Sequence, residues 1–416
     1  MIASTFTALF LVLLVITTLI EMTLSYRQSN SALKNQNSVP SDFKEIVKLK
    51  DHKKAAAYTS DKSKLNIINF FIQALFLLLL TIGGLINDIN SFYSSLTDNQ
   101  LIQGAAMIFS VLILSSTLDI PTGLYKTFVI DERYGFNKIT LNLYVSDLFK
   151  QSIVSTLIML PMILLALWIF GNLGDLWWLW LWLFLSIFNV LMLAIYPLYI
   201  APLFNKFKPM EDIKLKNKIE VLLKKCGFES DGLFVMNGSL RSTHGNAYFT
   251  GYGNAKRIVF FDTLLEKLNH SEILAVLAHE LGHFAHNHVK KRIVFLFLIS
   301  FIGLFVLDVL KTNDWFYLGL GVETQTNANA LILFVLISPL FLFFIRPLMA
   351  SYSRKNEFEA DEYACKFSSA KDLRDSLIKL YRDNASTLTP DAIYSSFYDS
   401  HPPALKRINA LKKFIS

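Results

Sequence analysis

"LAVLAHELGHFAHNHVKKRIVFLFLISFIGLF", Leu274 to Phe305, decides how this chain is read. Its first half holds His279-Glu280-x-x-His283. On a helix that spacing puts both imidazoles on one face, about 40° apart and one turn along the axis. Two histidines so placed can share one Zn²⁺, and Glu280, beside the first, stands where it can take a proton from water rather than bind the ion. The second half, Ile293–Leu310, is apolar enough to cross a bilayer. Chemistry that needs water therefore runs directly into a membrane span.

Composition agrees. The 416 residues are 53% hydrophobic and only 18% charged, against about 25% charged in ordinary soluble chains. The apolar excess falls in seven blocks of span length: Ile2–Ser25, Leu65–Ile86, Ala105–Leu124, Ile153–Phe170, Leu176–Ile200, Ile293–Leu310 and Leu331–Leu348. The third and fourth contain Pro121 and Pro161, which a span tolerates where neighbours re-satisfy the backbone. The first block has no Lys or Arg ahead of it and no clear small-residue cleavage site after it, so it reads as an anchor.

The net charge of +7 is distributed as membrane topology. Residues 27–64 hold nine Lys/Arg and 125–150 hold four, whereas 87–104 and 312–330 hold none. The long segment 201–292 is again basic. The positive-inside rule then puts the N-terminus outside, and 201–292 and the C-terminus in the cytosol. No familiar nucleic-acid-binding module is visible, so no nucleic-acid partner is expected. Cys226 and Cys365 both fall in segments read as cytosolic, and neither spacing nor compartment favours a disulfide or a thiolate zinc site.

The expected fold class is a mainly α membrane protein with a cytosolic α+β domain. Residues 1–200 carry spans one to five, with cytosolic loops at 27–64 and 125–150 and some helix around Ser41–Ala57. Residues 201–292 form an insert read as helix, small sheet, helix. "EDIKLKNKIEVLLKKCGF" has helical periodicity, with Ile213, Ile219, Leu222 and Leu223 on one side. "GLFVMNG", "NAYFTGYG" and "KRIVFFD" read as strands. Ser271 is the expected cap of the next helix. Residues 293–348 are spans six and seven, and 349–416 complete the cytosolic domain.

A zinc hydrolase needs a third protein ligand and an open fourth position. Position 289 is Val, so no histidine follows six residues after His283. "SRKNEFEADEYACKF" supplies a candidate, since Glu357 and Asp361 are four apart and share a face that Glu359 and Glu362 do not. His283 lies 27 residues before the end of span six, and Glu357 lies 26 residues after the start of span seven. If both helices run straight, the two reach the same height, about 15 Å beyond the apolar stretches. An ordinary solvated acidic face is the alternative. Asp361 could accept an N–H from a ligating histidine, or simply be a surface aspartate. His286 shares the His279/His283 face and His288 does not, and both read as polar helix residues near headgroups. Lys290, Lys291 and Arg292 read as interfacial anchors.

Together "HELGHFAHNHVKKRI", "RSTHGNAYFTGYGNAKRIVFFDTLL", "SRKNEFEADEYACKF" and "SHPPALKRINAL" resemble the type I CAAX prenyl protease family of zinc metallopeptidases. "YKTFVIDERYGFNKITLNLYVSDLFK" and "YPLYIAPLFNKFKPM" look like further family stretches, so the likeness covers nearly the whole chain. The resemblance implies seven helices around a water-filled intramembrane chamber, closed by the peptidase domain. It implies one Zn²⁺ on His279, His283 and Glu357, with Glu280 as general base, and it matches Asp361 to a second acidic residue on the ligand helix. Asn246 matches a cleft-lining strand able to hold a peptide by β-augmentation, and His401 and Arg407 match positions near the zinc. His401 would be a donor to the oxyanion; by sequence alone it is equally a loop residue before Pro402-Pro403.

The function that follows is hydrolysis after a prenylated cysteine, with release of the last three residues. The partners are peptide or prenylated protein C-termini and the lipid bilayer, and a monomer is expected. The membrane is the inner membrane in a bacterium and the endoplasmic reticulum in a eukaryote. Two alternatives stand beside it: a quality-control membrane protease of broader specificity, and a transporter or channel with a regulatory metal. Glu280 argues against the last, because a regulatory site needs no acid beside its first ligand.

Overall fold

A computed structural model of the chain describes residues 1–250 and 257–415. The long helices are α1 (Ala3–Lys34), α2 (Leu49–Leu80), α4 (Gln100–Tyr125), α5 (Leu141–Asn172), α6 (Trp177–Ile195), α11 (His288–Leu310) and α13 (Asn327–Leu342), with the amphipathic α3 (Leu85–Leu96) after α2. These seven long helices, with the turns that extend some of them, are long and apolar enough to cross a membrane. Two boundaries differ from expectation. The second span stops at Leu80 because Gly84 takes a left-handed turn (φ 84°) before α3 begins. The seventh ends at Leu342 and passes through a 3₁₀ turn at Phe343–Ile345 into α14 (Arg346–Phe367). Pro121 and Pro161 lie inside unbroken helices.

The spans follow one another in the order α1, α2, α4, α5, α6, α11, α13 and back to α1, with α3 bridging α2 and α4, and at one end α13 also packs on α4 and α5 through Ala105, Leu167 and Ala328, which closes the ring there. A helix in such a wall keeps two faces free of protein, and the apolar windows of the spans are accordingly only 6 to 39% buried. Packing is concentrated at the two ends. At one end Phe10, Leu80, Ile86, Phe170, Trp177 and Leu333 join α1, α2, α3, α5, α6 and α13 in one buried cluster. Between the ends, half-buried Gln73 on α2 donates to exposed Asp119 on α4 (2.8 Å), a pair suited to water rather than to lipid.

The other end is the α+β domain. Its helices are α7 (Ala201–Phe204), α8 (Ile213–Lys225), α9 (Asp262–Lys267), α10 (His270–Ala285), α15 (Ala370–Asp383), α16 (Ala392–Tyr398) and α17 (Ala404–Leu411), together with α14; the short α12 (Asp314–Leu318) belongs to the opposite end. The sheet is β1 (Phe207–Pro209), β2 (Leu233–Met236), β3 (Ala247–Thr250) and β4 (Arg257–Phe261), in the order β1-β2-β4-β3. Among the described residues only β2 and β4 pair in parallel, and β3 lies at an edge. Gly251–Gly253, the tail of the expected "NAYFTGYG" strand, and Lys256 lie outside the described residues. Along α8, Leu215, Ile219, Leu222 and Leu223 are buried, whereas Ile213 is 70% exposed and is not a core residue as expected.

The three basic segments, 27–64, 125–150 and 201–292, meet on this side with residues 349–416. Val39, Phe43 and Val47, from the loop between α1 and α2, enter the same core as Leu215, Leu277, Leu373 and Ile408. The expected helix around Ser41–Ala57 is instead a short 3₁₀ turn at Ser41–Phe43 followed by α2. The loop between the third and fourth spans bridges Asn137 to Ser242, and Asp147 at the start of the fourth span pairs with Arg241 (2.8 Å).

Candidate active site

Asn269, not Ser271, caps α10. Its side chain accepts from Glu272 N while the Glu272 carboxylate accepts from Asn269 N, a reciprocal capping box. Glu272 also pairs with Lys379 of α15 (2.7 Å) while itself buried, which ties the start of α10 to the next layer. The other side of α10 lies against α14. Gly282 makes that approach possible: a Cβ there would stand 2.9 Å from Ala360 Cα and 3.0 Å from Ala360 O.

The close approach brings the expected residues together. His279 Nε2 and His283 Nε2 are 3.3 Å apart. Glu357 on α14 faces both, with Oε2 3.4 Å from His279 Nε2 and Oε1 3.4 Å from His283 Nε2. Asp361, one turn on, meets His279 Nδ1 at 2.8 Å. Arg407 on α17 closes the far side of Asp361 with two hydrogen bonds of 2.7 Å, a buried bidentate pair. His401, in the loop before α17, is exposed, with Nε2 3.4 Å from Glu357 Oε1. Glu280 and Asn246 line the same cleft, of about 400 Å³, as His279 and His401. Asn246 immediately precedes the edge strand β3, its backbone oxygen accepting from Phe261 N (3.0 Å).

The electrostatics suit a cation. Burial and the Arg407 charge oppose protonation of His279, yet Asp361 and Glu357 outweigh them and raise its pKa to about 9. Burial likewise opposes the charge on Arg407, and Asp361 overrides it, holding the guanidinium protonated. Arg407 is shared between Asp361, through two hydrogen bonds, and Glu357, through Nη1 at 3.3 Å, and the side chains facing one point are two imidazoles and one carboxylate. Glu357 Oε2 is buried there and accepts no hydrogen bond among the described residues. The Arg407 charge, with Nη1 3.3 Å away, stabilises that carboxylate without hydrogen-bonding the oxygen, whose lone pairs stay open to an ion. His279, His283 and Glu357 therefore fit a divalent ion, and their donor set is that of a catalytic zinc site with one position open.

Three features escaped the sequence reading. Arg354, one turn before Glu357, donates to Asp399 O (2.9 Å) and Ser395 O (3.1 Å), and so holds the loop that presents His401. His244 stacks on Phe136 (4.8 Å) and bonds Asn384 Oδ1 (3.1 Å) at the end of the cleft. The expected continuous helix through His288 is broken. α10 ends at Ala285, Asn287 takes a left-handed conformation (φ 56°), and α11 restarts at His288. The break turns His288 inward, 5% exposed, against His283 and Glu359, so neither His288 nor Glu359 points away as expected.

Comparison with known proteins gives the same outline. Residues 28–206 match the family described as CAAX prenyl protease N-terminal, five membrane helices, and residues 209–415 match peptidase family M48. The chain is 32% identical to the CAAX prenyl protease 1 homolog of Arabidopsis thaliana, covering 90% of each. It is 32% identical to the homolog of Homo sapiens, covering 91% of this chain and 90% of that one. Against CAAX prenyl protease 1 of Saccharomyces cerevisiae identity is 37%, over 72% of this chain and 69% of that one. The crystal structure of S. mikatae Ste24p superimposes with a TM-score of 0.90 at 30% identity, over 98% of this chain and 99% of that one.

Proposed function

Because the chain belongs to the CAAX prenyl protease family of M48 metallopeptidases, we propose that it is a zinc endopeptidase that hydrolyses the bond after a prenylated cysteine and releases the last three residues. One observation carries the assignment of the site: ligand atoms of His279, His283 and Glu357 converge within 4.8 Å of one another, beside a cleft lined by His279, Glu280 and Ala247 of the edge strand β3.

In this reading His279, His283 and Glu357 hold the ion. When bound, zinc supplies Lewis acidity toward water and toward the scissile carbonyl. Glu280 takes a proton from the attacking water and returns it to the leaving amine. His401 donates to the developing oxyanion from the far wall of the cleft. Asp361 fixes the tautomer of His279, and Arg407 fixes Asp361. The edge of β3, beginning at Asn246, aligns the substrate backbone by strand addition. Residues 201–292 and 349–416 form the peptidase unit, and 1–200 and 293–348 form the membrane unit. The side on which the basic segments meet is the cytosolic one, which leaves the N-terminus outside. A substrate whose lipid stays in the bilayer then presents its C-terminus to the ring.

A product map by mass spectrometry tests this. Detergent-purified protein is given a farnesylated CAAX peptide and its unprenylated twin, with Glu280→Gln as the blank. Loss of the C-terminal tripeptide, faster from the farnesylated peptide, is the expected result. Equal rates would replace the substrate assignment with a membrane protease of broader specificity, and no cleavage of either by a zinc-loaded protein would overturn the assignment.

A further inference from the structure

His279 has a carboxylate partner on the ring nitrogen that faces away from the metal position; His283 has none directly. Its Nδ1 lies 3.0 Å from His288 Nδ1, and His288 Nε2 lies 3.0 Å from Glu359 Oε2. Only one proton arrangement satisfies this chain. A histidine that ligates through Nε2 carries its proton on Nδ1 and must donate it. His288 Nδ1 must then accept, so His288 carries its own proton on Nε2 and donates it to Glu359. The carboxylate thus fixes the tautomer of His288, and His288 fixes that of His283.

The geometry depends on the helix break. On an unbroken helix a residue five positions after His283 points about 140° away from it. The left-handed Asn287 swings His288 back beneath His283 and buries it against α14. Glu359 is on α14, two residues from Glu357. One helix therefore supplies the third ligand and both carboxylate anchors, Asp361 directly to His279 and Glu359 through His288 to His283.

We propose that His288 and Glu359 are positioning residues that hold His283 as a metal ligand through an imidazole–imidazole hydrogen bond ending on a carboxylate. The proposal rests on the reading of His279, His283 and Glu357 as the metal site. Its test is zinc affinity, measured by chelator competition on the full-length protein without substrate. His288→Ala is expected to weaken zinc about 10- to 100-fold, the usual cost of losing such a partner. His288→Asn keeps an acceptor oxygen near the Nδ1 position and is expected to recover most of the loss, which a merely structural role for the ring would not allow. Glu359→Gln still accepts from His288 and is expected to lose less than His288→Ala. With Co²⁺ in place of zinc, the visible bands should shift in His288→Ala and return in His288→Asn, while the melting temperature of the metal-free proteins stays level.

Wild-type affinity in His288→Ala overturns the relay alone, as does an Asn variant no better than the Ala variant. His286, His288 and Glu359 also have ligand atoms within 4.8 Å of one another, so uptake of two zinc ions, the second lost in His286→Ala, also overturns it, because His288 Nε2 would then be ligating a metal and not donating. Unchanged zinc binding in a His283→Ala control overturns the underlying metal site instead.

Discussion

Gly282 and Gly303 lie on consecutive helices of one chain segment, yet they meet different worlds. A Cβ on Gly282 would strike the backbone of α14, at 2.9 Å from Ala360 Cα. A Cβ on Gly303 would touch only the Phe334 ring at 3.6 Å, an ordinary contact with a side chain of α13. The same pair of strands of chain is thus locked backbone to backbone outside the bilayer and loosely apposed within it. Val294, Leu298 and Val335 show this, each more than half exposed to whatever surrounds the protein. Rigidity is spent where reacting groups must keep their distances, and the spans keep surfaces for lipid on one side and the ring interior on the other.

Four substitutions would break or sharpen that contrast. Glu280→Gln leaves every ligand in place but removes the proton acceptor, and peptide cleavage should fall by about 10²- to 10⁴-fold with zinc content unchanged. A zinc-loaded Gln variant that still turns over would remove Glu280 from the chemistry. Arg407→Met leaves Asp361 and Glu357 buried without their cation. Loss of one partner of such a network costs about 3–5 kcal/mol, read as a lowered denaturation midpoint of the peptidase domain. Gly282→Ala forces α10 off α14; overpacking of this kind costs about 1–3 kcal/mol, and cleavage should drop with it as the ligand geometry opens. Gly303→Ala should lie within about 0.5 kcal/mol of wild type in the same melting assay and leave cleavage intact. If the two glycine variants behaved alike, the distinction between locked and loose regions would be wrong.

Much of this was legible in the sequence, for identifiable reasons. The spans show because lipid demands long apolar runs, and the meeting of His279, His283 and Glu357 shows because helical rise converts residue counts into height. That count assumed two straight helices. Both are interrupted, at 286–287 and at 343–345, and the juxtaposition survives because each helix is broken once near the membrane boundary. The reversal of His288 was not legible. Asn in a left-handed conformation is permitted by its short polar side chain, but nothing in "HFAHNHV" forces it there; contact with α14 selects it. The capping box could have been read from Asn269 and Glu272, which stand at the right spacing. Arg354 and His244 carry no local signal, since their partners are backbone oxygens and an asparagine more than 40 residues away.

The contact between α10 and α14 has a consequence for how each copy of the protein is made. Two bilayer crossings separate His283 from Glu357, and two more separate Asn137 from Ser242. Residues joined across such intervals can meet only when the number of crossings between them is even. Were α11 or α13 to fail to insert, Glu357 would emerge on the wrong side and the histidines would have no third partner. The catalytic centre thereby acts as a parity check on its own threading: a misinserted copy is a protease that cannot be switched on.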